Sequence, residues 1–296
     1  MNGKVVIVKS TSLFDGEDVN PTVWKRAIER GLQLLTDEKN VNLAVKRIFK
    51  VSDSVGIKIN TISGKMLTTP PSCGLSFASI LISGGLNPDS IFIWDRTNSE
   101  LRKAGYTLNY SGKGVKILGT DTYGVSYDDE LVEYKSIGSL FSKIQKNFVN
   151  ASVSLAVLKD HGTTGITGVM KNFYGAIHNP NKYHDGRGDP YIPDLFSCPI
   201  IRSKHRLAIL DAGKVQYHRG PGYNPRYCEK YNSILLSFDP VAIDYVGWKI
   251  IEEIRKKKGL KSLSEEGREP KWIYTAFKSN LGVSDPSQIK IIEEEI

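Results

Sequence analysis

The sequence predicts an α/β fold: a mainly parallel sheet flanked by helices, with two lobes and an intervening cleft as a variant. Two observations predict it. Short runs rich in Val, Ile and Leu on both faces recur along the chain, as in buried parallel strands. Segments of helical length and pattern alternate with them. In such open α/β sheets ligands bind beyond the carboxyl ends of the strands, so the polar or charged residues that follow most of the runs are where a site is sought.

In chain order, Lys4-Val5-Val6-Ile7-Val8-Lys9 opens the chain with a strand over residues 5–9. Asn20-Pro21 then places a capping side chain before proline, starting a helix over 21–35. The strand over 55–60 precedes a helix over 72–82, and the strand over 90–94 precedes a helix over 99–104. A strand over 115–118 and a helix over 137–146 follow. The strand over 153–158 leads into a glycine-rich turn and a helix over 167–176. Residues 178–199 carry four prolines and read as a long loop with at most a short helix. Strands over 206–210 and 233–238 follow, and Asp239-Pro240 caps a helix over 240–258. A last helix covers 270–281. The pattern is that of a single unit over residues 1–296; the alternative is two lobes, 1–148 and 149–296, meeting near 147–150.

The 296 residues are 40% hydrophobic and 24% charged, enough for a sizeable core and too apolar for disorder. No run reaches membrane-span length, and the immediate entry into a strand leaves no room for a leader peptide, so a cytoplasmic location is expected. Lys plus Arg number 40 against 32 Asp plus Glu, a net charge of +8. The basic residues are dispersed; the one dense run, Arg255-Lys256-Lys257-Lys258, ends a helix, where it complements the dipole. No nucleic-acid motif appears, so no nucleic-acid partner is expected, and the charge favours a small anionic molecule instead. Cys73, Cys198 and Cys228 lie too far apart for an iron–sulfur ligand run, a Cys-rich zinc site or a disulfide framework.

At the strand ends stand Asn60 with Lys58 just before it, Asp95-Arg96, Lys159-Asp160-His161, Asp211 and Asp239. The densest segment follows the 153–158 strand. There Gly162, Gly165 and Gly168 recur at three-residue spacing among Thr163, Thr164 and Thr167, with Lys171 and Asn172 next. A glycine-rich turn opening a helix exposes backbone N–H groups to an anion. The G-x-x-G-x-x-G spacing matches neither the Walker A loop nor the dinucleotide fingerprint. All five histidines fall within 161–218; His161 and His184 are the candidates, with His205 and His218 expected at the surface or behind the site.

At these residues the chain resembles the prokaryotic family catalogued as domain of unknown function 362. The carrying marks are Lys58 and Asn60, Thr69-Pro70, Leu158-Lys159-Asp160-His161, Gly168-Val169-Met170-Lys171-Asn172-Phe173-Tyr174-Gly175, His184, Pro193-Asp194-Leu195, Leu210-Asp211-Ala212, Gly220-Pro221 and Ser237-Phe238-Asp239-Pro240-Val241-Ala242-Ile243-Asp244. Many relatives carry a ferredoxin-like four-cysteine segment or a twin-arginine leader, which these residues do not. More faintly, His161, the glycine-rich turn, Lys171 ten positions on and then His184 are similar in order to the nickel-pincer lactate racemases. That similarity implies a lysine-held cofactor and a metal-binding histidine.

The reading is an enzyme acting on a small anionic substrate or cofactor, an oxidoreductase or an isomerase/epimerase. Its alternative is a non-catalytic cofactor or metal carrier. His161, Lys171 and His184 are the candidate catalytic groups. Lys58, Asn60, Lys159, Gly162, Thr163, Thr164, Gly165, Thr167, Gly168 and Asn172 would hold a phosphate- or carboxylate-bearing cofactor. Asp95, Asp211 and Asp239 are candidate ligands for a divalent metal or orienting groups.

Overall fold

A computed structural model describes residues 3–296. Nine strands form one sheet: β1 (Gly3–Lys9), β2 (Val55–Lys58), β3 (Ile91–Asp95), β4 (Lys116–Gly119), β5 (Ala151–His161), β6 (Gly165–Thr167), β7 (His205–Gln216), β8 (Cys228–Ser237) and β9 (Ile289–Glu295). The order across the sheet is β9-β1-β8-β7-β5-β2-β3-β4, with β6 against the end of β5. All neighbours are parallel except β8, which runs against β1 and β7, and β6, which runs against β5. The fold is therefore α/β with a mainly parallel sheet flanked by helices. The sheet is continuous across residue 148, because β2 from the first half pairs directly with β5 from the second.

Alternation along the strands fills two cores. Val153 and Leu155 of β5 face α1 (Pro21–Thr36), α2 (Val41–Ile48) and α3 (Pro71–Ser83). Ala156 and Leu158 face α6 (Pro240–Lys257) and α7 (Trp272–Lys278), with α5 (Tyr191–Ser197) in the same cluster. The short α4 (Asn98–Lys103) follows β3. Both expected caps form: the Asn20 side chain accepts from Thr22 N and Val23 N, and Asp239 from Val241 N and Ala242 N.

Two expected helices are absent. Within 137–146, Ile137–Ser139 pairs instead with Val132–Tyr134, and Ile144–Phe148 makes a single π-type turn. Gly138 and the serines around it are weak helix formers, and the Tyr183 hydroxyl both accepts from Gly138 N and donates to Gly138 O. Residues 167–176 begin as β6 and end as the short 3-10 helix Lys171–Ala176. The cause is Asp244, whose carboxylate accepts from Val169 N and Met170 N and turns the chain around itself. The sequence reading missed α2, started by the Asn40 cap, and β9. The Glu293-Glu294-Glu295 run hides β9, yet Lys9 and Arg30 pair with Glu293 and Glu294.

Two further expectations change. Arg255 is fully buried rather than part of a solvated helix end, donating to Tyr217 O and Lys261 O. His205 is buried between Phe173 and Phe196, not at the surface. Among the described residues, no helix is long and apolar enough to cross a membrane.

Candidate functional site

The β5–β6 hairpin builds the site. It extends β5 past residue 158, so Lys159, Asp160 and His161 lie within the strand, not beyond it. Alternation sends Lys159 and His161 to one face and Asp160 to the other. Thr167 stands opposite Lys159 in the antiparallel ladder and shares its face. Asp160, on the far side, pairs with Arg268 Nη1 at 2.7 Å and accepts from Gly220 N, fixing the hairpin to the following loops.

A cleft of about 280 Å³ opens here, lined among others by His161, Thr167, Lys171, Asn172, Tyr174 and His184. Thus the structure brings together His161, Lys171 and His184. The His161 and His184 rings stack at 5.3 Å between centroids, and Lys171 Nζ lies 3.3 Å from His184 Nε2. The Lys171 ammonium also sits 4.9 Å from the Tyr174 ring centroid.

Hydrogen bonds fix both tautomers. His161 Nδ1 accepts from Thr163 N and Thr164 N at 3.2 and 3.3 Å, so its proton is on Nε2. Burial, reinforced by Lys171, pushes His161 down to about 2, and the ring stays neutral. In this arrangement it presents an N–H donor through Nε2. His184 Nδ1 donates to Pro180 O at 3.1 Å, leaving the Nε2 lone pair toward Lys171. Burial and Lys171 lower His184 as well.

The lysines differ in what they hold. Lys58 Nζ donates to Asp95 Oδ1 at 2.6 Å, Ile59 O at 2.7 Å and Asn172 Oδ1 at 3.3 Å, so all three protons are used. It positions the strand ends and has nothing left for a ligand. Lys159 Nζ donates to Asn60 Oδ1 and Ser63 Oγ, both at 2.7 Å. No carboxylate pairs with Lys159 or Lys171 among the described residues, and burial brings each down to about 7. The Thr167 hydroxyl is buried, its residue lines the cleft, and it has no protein partner among the described residues.

The glycine-rich turn is not an anion cradle at a helix start. Thr163 N and Thr164 N serve His161, and the Thr164 hydroxyl serves Ile166 O. Gly162 N donates to Gly220 O. Gly165, at φ +80°, is closed against Arg268 O, and Gly168 leaves room for the Asp244 carboxylate. Asn172 Nδ2 donates to Lys58 O and Ser154 Oγ, which makes it a strut under the cleft.

The three aspartates do not converge. Asp95 is saturated by Lys58 Nζ, Arg96 N, Thr61 N and Thr61 Oγ1, and despite burial these donors, Lys58 foremost, hold its carboxyl below the usual range. Asp211 lies inside β7 at a bulge, accepting from Gly213 N and the Thr69 hydroxyl. Asp239 caps α6 and accepts from Val283 N. Among the described residues, no three His, Cys, Asp or Glu side chains group as metal ligands. The cleft is also lined by Lys58, Asp95, Arg96 and Glu100, whose charges pair as Lys58–Asp95 and Arg96–Glu100.

Tyr174, Ser63 and Asp244, which contact or support the cleft, were not among the expected site residues. Tyr174 stands three positions after Lys171, the spacing of one turn, and that signal was legible. Nothing in the sequence ties Ser63 to Lys159 or Asp244 to Val169.

No curated protein matches this sequence. The chain is similar to a crystal structure of a Thermotoga maritima protein at 10% identity and a TM-score of 0.44. That likeness covers 82% of this chain and 60% of the other, so the chain spans less than two thirds of its structural neighbour. The family model named Domain of unknown function (DUF362) matches residues 55–249, a stretch that holds the whole hairpin, Lys171, Asp244 and His184, and the chain belongs to that family.

Proposed function

We propose that the protein is an enzyme acting on a small carboxylate or phosphate compound in the His161–Lys171–His184 cleft. The observation that carries this reading is Lys171, a buried lysine that lines the cleft with no carboxylate paired to it among the described residues; a second buried lysine without an ion pair, Lys159, lies just behind the cleft residue Asn60, to which it donates. Two ammonium groups in such a place are costly unless an anion arrives or a proton leaves. Lys171 is the reactive amine and His184 Nε2 its proton partner. His161 Nε2–H and the Thr167 hydroxyl are neutral donors held ready for a substrate oxygen. An amine and an imidazole in contact move protons, which favours an isomerase or epimerase type of step over hydride transfer.

The test is calorimetric titration with small carboxylates and phosphates, run beside a turnover screen of the same compounds. Binding that Lys171→Met abolishes, together with turnover, supports the reading. Binding without any turnover makes the protein a carrier of that anion, and binding unchanged in Lys171→Met sinks the assignment of this cleft.

A further inference from the structure

We propose that Lys171 forms an imine with a small carbonyl compound that carries a carboxylate or phosphate group. The inference rests on the anion reading above and adds the covalent step. Four features of the cleft converge on it. The Lys171 amine has one hydrogen-bond partner, His184 Nε2, and no carboxylate among the described residues, so only the Tyr174 ring face favours its ammonium form. That partner has a fixed lone pair, because its other nitrogen donates to Pro180 O. The face of Tyr174 walls the amine on another side at 4.9 Å from the ring centroid. In the same cleft, His161 Nε2–H, on a ring stacked against His184, and the Thr167 hydroxyl are donors with no protein acceptor among the described residues. A carbonyl oxygen needs such donors when it becomes negatively charged.

The atoms balance within this set of groups. The Lys171 nitrogen lone pair attacks the carbonyl carbon, the C–N bond forms, and the C=O pair moves onto oxygen. His184 Nε2 takes a proton from the new ammonium and delivers it to that oxygen, giving a carbinolamine. The second amine proton follows the same route as the C–O bond breaks. The oxygen leaves as water, and the nitrogen lone pair completes the C=N bond. No oxidant or reductant enters. The anionic group of the compound is expected on the side of Asn60, the cleft residue backed by Lys159, the other buried cation with no ion pair among the described residues. The cavity of about 280 Å³ limits the compound to a small molecule.

The test treats the full chain with pyruvate in one arm and glycolaldehyde phosphate in the other, each with borohydride, and reads intact mass and peptide maps. The expected result in at least one arm is a single adduct on Lys171, heavier by the mass of the carbonyl compound less one oxygen. The arm that reacts identifies the anionic group. Lys171→Met and Lys171→Arg should lose the adduct. His184→Ala should slow its formation by about tenfold or more while the anion still binds. Calorimetric binding of the same compounds without borohydride separates the two readings. Binding with no adduct, or with adducts only on other lysines, overturns the imine and leaves the anion site standing. Neither binding nor adduct overturns both.

Discussion

Lys171 Nζ lies 3.3 Å from His184 Nε2, and among the described residues no carboxylate shares the contact. A lysine is ordinarily held protonated by water or a counterion; here burial replaces the first and nothing supplies the second. His184 cannot act as that counterion, because its ring is neutral and donates through Nδ1 to Pro180 O.

The amine of Lys171 should therefore titrate near pH 7 in the free protein, against an ordinary value of 10.5. Competitive labelling with acetic anhydride across pH, read by peptide mass, measures this directly. The expected midpoint for Lys171 is two or more units below that of surface lysines, by roughly the range burial imposes. A midpoint above pH 10 would show the amine to be solvated and remove its claim to reactivity.

Lys159 makes a stability prediction of the same sign. Its folded value is lowered to about 7 from 10.5, so between these limits the unfolded chain binds more protons than the native one. Stability should rise with pH across that window, by up to about 1.4 kcal/mol per pH unit for this group at most. Lys159→Met removes the titrating group, and its unfolding free energy should be flatter from pH 7 to 10 than that of the parent. Denaturant titrations at several pH values check the slope; identical slopes would refute the assignment.

Asp244 behaves in the opposite way. Burial raises its carboxyl to about 7, although Val169 N and Met170 N donate to it. The native state then holds a proton that the unfolded chain releases from about 3.8 upward, and stability falls as pH rises from 4 to 7. Asp244→Asn keeps an acceptor for the turn and should flatten this dependence. Asp244→Ala leaves two buried N–H groups without acceptors and should cost about 2–4 kcal/mol. Equal pH dependence in Asp244→Asn and parent would sink the account.

The strands and caps were legible because burial on both faces and the Asn20-Pro21 and Asp239-Pro240 starts are local signals. His161, Lys171 and His184 were legible as a set because few residue types carry such chemistry, and the fold does bring them to one cleft. The turn between them was misread. Three glycines with threonines look the same in sequence whether they face a phosphate or a carboxylate of the same chain, and Asp244 lies 75 residues from Val169. Likewise Asp95, Asp211 and Asp239 each end or interrupt a strand as a metal ligand would, but each was already satisfied by nearby N–H and O–H donors. Alternation within β5 would have separated Asp160 from Lys159 and His161, had the strand been carried to its true end.

The Lys58–Asp95 pair sets the floor of the cleft, and its energetics can be separated from binding. Lys58→Ala leaves the Asp95 carboxylate buried and short of a cation, which should cost about 3–5 kcal/mol. Gly175 packs on the pair: a Cβ there would come within 2.7 Å of Lys58 Nζ and 2.8 Å of Cε. Gly175→Ala must push the ammonium from its place between Asp95 and Asn172, at a cost of about 1–3 kcal/mol. The same substitution in a Lys58→Ala background meets no ammonium, so its cost should shrink. The two effects should therefore be strongly non-additive in a double-mutant cycle, with a coupling of about 1 kcal/mol or more. Additive losses would mean that Gly175 is required for some contact other than the one with Lys58. The reading of that lysine as a fixed strut, spent on protein and not on ligand, would then lose its support.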